Sequence, residues 1–144
     1  MASSTYNTTI ESTFATAWGA TTPIAYDNVE FTPPSSSAYV KLEVWDGPSS
    51  KASIGAGNQL RRTIGTAFFT IYTPMGLGSK PARTYADQIV TIFRDLQIGG
   101  LVFEEGDISR IGEKYYPSGG TSVNGTGQWY ELMVAIPFRS DVYI

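Results

Sequence analysis

Neither cysteine nor histidine occurs among the 144 residues of the chain. The first absence removes disulfides, thiol catalysis and thiolate metal sites. The second removes Ser-His-Asp and Cys-His mechanisms, imidazole acid–base catalysis and histidine-based zinc sites. What stays open is carboxylate, lysine or tyrosine chemistry, or no catalysis. Charge is also scarce: 16 % of residues are charged against 42 % hydrophobic, so part of the surface must be uncharged and available for protein contacts. The net charge of −3 disfavours a dedicated nucleic-acid binder and leaves only a local basic patch open. The longest apolar run, Leu132 to Ile136, is far too short to span a bilayer. The opening MASSTYNTTIESTF has no basic residue and no continuous apolar stretch, so no signal peptide is expected. Soluble synthesis in a cytoplasm follows, and the sequons at Asn7 and Asn124 are then accidental.

A chain of this length suits one domain, burying about 70 % of the surface its unfolded form exposes, and no repeat or second domain is visible. Tyr6, Ile10, Phe14 and Trp18 recur at helical spacing with Gly19 behind them, predicting a helix over about residues 4 to 18. Its start is either a Thr8/Glu11 capping box or Ser3/Ser4. A short extended piece at Ile24 to Tyr26 and a Pro/Ser loop follow. Ala38, Val40, Leu42 and Val44 then alternate with Tyr39, Lys41, Glu43 and Trp45, predicting a strand that buries the first set, shows the second, and stops at Asp46-Gly47-Pro48. SSKASIGAGN is longer than a hairpin needs, which marks a mobile or functional loop. Residues 59 to 73, rich in Thr, Ile, Phe and Tyr, read as a long strand.

A second helix is expected from a Ser79 cap and Pro81, with Ala82, Tyr85, Ala86, Ile89, Phe93 and Leu96 on one face and Gly99-Gly100 closing it. Short strands at LVF and DISRIGEKYY, a flexible PSGGTSVNGTG loop and a last strand from Gln128 to about Phe138 complete the chain. The order helix, hairpin, helix, hairpin predicts an α+β fold: a mostly antiparallel sheet with two helices packed on one face, in a single domain over residues 1–144.

The stretch IYTPMGLGSKPARTYAD invites comparison with a phosphate loop. A Walker A loop needs G-x-x-x-x-G-K-[ST]. Here Ser79 precedes Lys80, Pro81 follows it, and Pro74 stands at the first glycine position, so all the fixed positions around the lysine fail. Gly55-Ala56-Gly57 begins a dinucleotide fingerprint, but Leu60 occupies its third glycine. Glu104-Glu105-Gly106-Asp107 is the one dense carboxylate run. Neighbouring strand residues point to opposite faces, so a solvated turn outweighs a cation or acid–base site. Arg61-Arg62 is either a grip on an acidic partner or phosphate, or a solvated strand end. Tyr39 and Trp45, with Trp129, form an outward row: a sugar-stacking platform, a subunit interface, or ordinary packing.

Three further runs carry a family resemblance: IAYDNVEFTPP leading into AYVKLEV, then RRTIGTAFFTIYTPMGLGSKPARTYADQIVTIF, and finally WYELMVAIPFRSD. An aromatic-(Asp/Glu)-Asn-Val-x-Phe-x-Pro-Pro run, a basic pair before a long strand, a Tyr-x-Pro-x-Gly-x-Gly turn into a helix and an Ile-Pro-Phe/Tyr-Arg close are in this order similar to the tail terminator-like (tail completion) proteins of long-tailed bacteriophages. The cues span about residues 24 to 140, and the N-terminal helix and PSGGTSVNGTG match no family motif. The resemblance implies a structural virion protein without catalysis, cofactor or metal. It would assemble as a hexameric ring on the head-proximal end of the tail tube, halt tube polymerisation and offer a face to the head–tail connector. DNA would pass through the ring without specific binding. The alternatives are another head–tail joining or neck protein, a small carbohydrate-binding module using the exposed aromatics, and an enzyme working with carboxylates alone. For the ring, Lys51, Ile54, Asn58, Arg61 and Arg62 are the expected contacts to neighbouring subunits or to the tail tube, with Tyr39 and Trp45 as a further candidate surface.

Overall fold

A computed structural model describes residues 2–34, 36–55, 57–116 and 127–143. In chain order these form α1 (Ser3–Trp18), β1 (Ile24–Tyr26), β2 (Tyr39–Lys51), β3 (Leu60–Pro74), α2 (Lys80–Phe93), β4 (Gln97–Ile98), β5 (Leu101–Phe103), β6 (Asp107–Tyr116) and β7 (Gly127–Tyr143). The strands make one seven-stranded sheet in the order β1-β2-β3-β7-β5-β4, with β6 also paired to β7. Every pairing is antiparallel except β1 with β2. The fold is the expected α+β arrangement. PSGGTSVNGTG falls outside the described residues except for its last glycine, which opens β7.

Both helices cover one face of the sheet. Tyr6, Ile10, Phe14 and Trp18 of α1 and Ala82, Ala86, Ile89, Val90 and Phe93 of α2 are buried against Val40, Leu42, Ala67, Phe69, Ile71, Leu132, Val134, Ile136 and Phe138. The strand residues belong to one face because register and period agree: Leu42 pairs with Phe69 and Phe69 with Val134, and each strand contributes every second residue. Phe14 sits where the layers meet, its ring 4.8 Å from that of Phe69, 5.2 Å from Trp18 and 6.3 Å from Phe93. Trp18 keeps its indole N–H satisfied by donating to Thr22 Oγ1 at 2.9 Å.

Three boundaries differ from expectation, and the first helix takes the earlier of its two expected starts. Helix α1 starts at Ser3 with Ala2 at the cap and no side-chain cap bond; Thr8 donates instead to the carbonyl of Ser4, the back-bond open to a mid-helix threonine. Helix α2 ends at Phe93, short of Gly99-Gly100. Arg94 is extended and Asp95 takes a left-handed φ of 55°, which a short polar side chain tolerates, and the two glycines then turn β4 into β5. Strand β2 passes through Gly47-Pro48 to Lys51 because these residues form a bulge: the register steps from Asp46/Gly65 to Ser49/Thr63, and an unpaired bulge position asks nothing of the missing proline N–H. Strand β7 runs past its expected end near Phe138 to Tyr143, still paired with β3 at Leu60, and it carries Pro137 in its interior. In an antiparallel strand a residue's N–H and C=O point to the same side, and the Pro137 carbonyl accepts from Glu104 N–H at 2.8 Å. The absent N–H therefore points to the side where β7 changes partner from β6, which ends its pairing at Ala135, to β5, which begins at Phe138, and no ladder bond is lost.

Candidate protein interface

The β2–β3 ribbon continues past the part of the sheet that the helices cover. Beyond the bulge Ser49 pairs with Thr63, Ser50 with Arg62 and Lys51 with Arg61, and the end of β7 flanks this extension through Leu60/Tyr143. Small residues make the bend possible. A Cβ on Gly47 would stand 2.5 Å from the Ile64 carbonyl oxygen, and one on Gly65 would stand 2.6 Å from the tip of the Phe138 ring and 2.7 Å from the Trp45 carbonyl oxygen.

The tip, expected as a mobile or functional loop, is cross-braced by its own polar groups. Gln59 is buried and donates its amide to the carbonyls of Gly55 (2.7 Å) and Gly57 (3.1 Å). Ser53 Oγ donates to Gln59 Oε1 at 3.2 Å and accepts from Leu60 N–H at 2.8 Å. Gly55 and Gly57 take φ of 121° and 86°, which glycine alone adopts cheaply. Ile54 is thereby held outward, fully exposed at 102 %, with Asn58 also exposed.

The basic pair divides by strand alternation. Arg62 lies on the face away from the helices and makes a two-pronged bond to Asp141, Nε to Oδ1 at 2.8 Å and Nη2 to Oδ2 at 3.0 Å; Arg139 Nε approaches the same carboxylate at 3.8 Å. The Arg62 hydrogen bond holds the Asp141 carboxyl below the usual carboxylate range and raises the guanidinium in turn. Arg61 lies on the other face, directly across from Lys51. Both are exposed, and among the described residues neither has an ion pair. Two like charges opposite one another are unfavourable in the isolated chain.

At the base of the ribbon, on the face away from the helices, lies a groove of about 450 Å³ lined by Trp45, Pro48, Ile64, Phe68 and Pro137, with Glu104 at its rim. Trp45 is 61 % exposed and Ile64 49 %; the Trp45 ring stands edge-on to Phe68 at 5.9 Å. Of these only Trp45 is an interface candidate in the sequence. Phe68, Thr66 and Ile64 fall on its face through the Trp45/Thr66 register, which alternation within one strand does not supply.

Tyr39 requires a correction. It lies on the same face as Trp45 but is completely buried, as is Trp129 at 2 %. Tyr39 stacks on Tyr72 (4.5 Å, 9°), meets Trp129 edge-on at 5.2 Å and lies 5.2 Å from Phe31, because the segment carrying Phe31 folds over this half of the sheet and makes a second small core with Ala25. Among the described residues the Trp129 indole nitrogen has no hydrogen-bond partner there. Elsewhere, Glu105 pairs with Arg94 at 3.2 Å, Lys80 is exposed in the first turn of α2, and Gly76 and Gly78 turn the chain before it with φ of 95° and 77°. Among the described residues no group of three or more Asp or Glu is placed to hold a metal ion, and no helix is long and apolar enough to cross a membrane.

Comparison with known proteins agrees with this architecture. A solved structure that carries no functional name is similar over 94 % of this chain and 95 % of its own, with 19 % identity and a TM-score of 0.60, a likeness of fold. No curated protein matches. The family model described as phage tail terminator protein matches residues 7–138, nearly the whole length, and the chain therefore belongs to that family of structural phage-tail proteins.

Proposed function

We propose that this chain closes the head-proximal end of a phage tail tube as a ring, most simply a hexamer, and that the ring stops tube polymerisation and offers its other side to the head–tail connector. The observation that carries the ring is that one subunit presents two unlike uncovered surfaces, a basic ribbon tip bearing Ile54 and an apolar groove around Trp45. A two-fold dimer uses one patch twice, whereas a closed ring joins two different patches head to tail. The tail tube protein meets one side of that ring and the connector the other; the chain supplies binding surface and no chemistry. A sugar-stacking platform is disfavoured, because Tyr39 and Trp129 are buried and Trp45 is left alone.

The experiment is to produce phage without this chain and measure tails by negative-stain electron microscopy. Overlong tubes that fail to join heads are expected, with length control and joining restored when the purified chain is supplied during assembly. Tails of normal length joined to heads in its absence would refute the reading.

A further inference from the structure

The tip and the groove are complementary in two respects. Ile54 is a fully exposed aliphatic side chain and the groove floor is aliphatic and aromatic. Lys51 and Arg61, which flank the tip without an ion pair among the described residues, are basic; Glu104, at the rim, is exposed and also unpaired among them. We propose that Ile54 of one copy seats in the Trp45 groove of the next, with Lys51 and Arg61 turned toward that copy's Glu104. The proposal rests on the ring reading and names its repeating contact.

The occupant is a second copy and not the chain's own tip. The β3 ladder with β7 runs unbroken from Ile64 to Leu60, about 13 Å at the rise of a strand, and the Gln59 and Ser53 bonds hold the tip at its end. A ribbon fixed in this way carries Ile54 away from its own groove. Docking also removes a cost already present in the free subunit: the repulsion between Lys51 and Arg61 is offset once a carboxylate lies between or beside them. The bracing means little ordering entropy is lost on association.

The absence of cysteine makes the test direct. Two single variants, Ile54→Cys and Ile64→Cys, are purified, mixed, concentrated and oxidised. A disulfide-linked dimer is expected from the mixture and from neither variant alone, since a head-to-tail contact never brings position 54 to position 54. Separately, Ile54→Asp, at a position where the fold has no stake, should weaken assembly on the order of 10- to 100-fold by sedimentation. Glu104→Lys should weaken it as well and be rescued by Lys51→Glu with Arg61→Glu. Rings that form without the mixed crosslink, or that Ile54→Asp leaves intact while binding to tail tubes is lost, overturn the proposal and leave the ring reading standing. A chain that stays monomeric at every concentration, and shows no crosslink, overturns both.

Discussion

Replacing Gly65 by alanine tests whether the junction between core and ribbon is as tightly fitted as the geometry requires. Gly65 does not have a positive φ, so alanine suffers no backbone strain, and the small gain from a less flexible unfolded chain is set against the lack of space. The new methyl would lie 2.6 Å from Phe138 Cζ and 2.7 Å from the Trp45 carbonyl oxygen, both inside contact distance. Neither neighbour has an easy retreat. The Trp45 carbonyl belongs to the β2–β3 ladder, and the Phe138 ring is held between Tyr6 at 5.1 Å and Phe103 at 6.4 Å. Overpacking of this kind costs about 1–3 kcal/mol, and at this chain length about 3 °C of melting temperature is lost per kcal/mol. The expected result is a midpoint about 6 °C lower and a shifted urea midpoint with an unchanged m-value, meaning that the native state alone is strained. A variant whose stability lies within about 0.5 kcal/mol of the parent would mean that the Phe138 ring yields freely, and the account of why glycine occupies this position would be wrong.

Truncating Phe14 to alanine, at the meeting of both helices and the sheet, should cost about 3–5 kcal/mol in a denaturant melt; a loss below 1 kcal/mol would place the layer contact elsewhere. Glu11 has its carboxyl pushed above the usual range, first by burial and then by Asp27. A raised carboxyl penalises the folded state above its folded pKa and ceases to do so as pH falls, so Glu11→Gln should melt higher than the parent at pH 7, with the gain vanishing on acidification. Asp141 is the opposite case: its pKa is depressed by the Arg62 hydrogen bond, so its contribution is present above the ordinary carboxylate value and is lost as pH falls through the lower folded value. Asp141→Asn should therefore lower the melting temperature at pH 7 and remove part of the acid-induced loss, and a pH–stability curve parallel to the parent's would contradict the pairing.

Most elements were legible because the signals that define them are local. The four-residue recurrence from Tyr6 to Trp18 and the Pro81 start of α2 need no tertiary information, and both helices were expected where they stand, with α2 running shorter. What escaped the sequence was set by pairing. Gly47-Pro48 reads as a strand end from propensity, yet it sits at a bulge where the neighbouring strand makes no demand on the lost N–H, a position known only once β3 is in place; the continuation of β7 past Phe138 is likewise set by its pairing with β3 and β5. The small, polar, glycine-rich SSKASIGAGN reads from its composition as a mobile or functional loop. Gln59 and Ser53 tie Gly55, Gly57 and Leu60 together there, and a single glutamine with its amide turned inward leaves no periodic trace.

The interface candidates show the same division within pairs of residues. Tyr39 and Trp45 lie six positions apart on one strand, and alternation places both on the face away from the helices. One is completely buried and the other is 61 % exposed, because a separate segment, the one carrying Phe31, covers only half of that face. Alternation fixes which way a side chain points; it does not fix what lies above it. Arg61 and Arg62 are adjacent and chemically identical, but period two sends them to opposite faces, where Arg62 meets Asp141 from the end of β7 and Arg61 lies between Lys51 and Val142 with no ion pair among the described residues. The pair is thus one internal ion pair and one uncompensated charge. The Asp141 carboxylate engages Arg62 closely and Arg139 at 3.8 Å, whereas Lys51 and Arg61 have no carboxylate partner among the described residues, so an acidic partner gains most by meeting the ribbon on the Lys51 and Arg61 side.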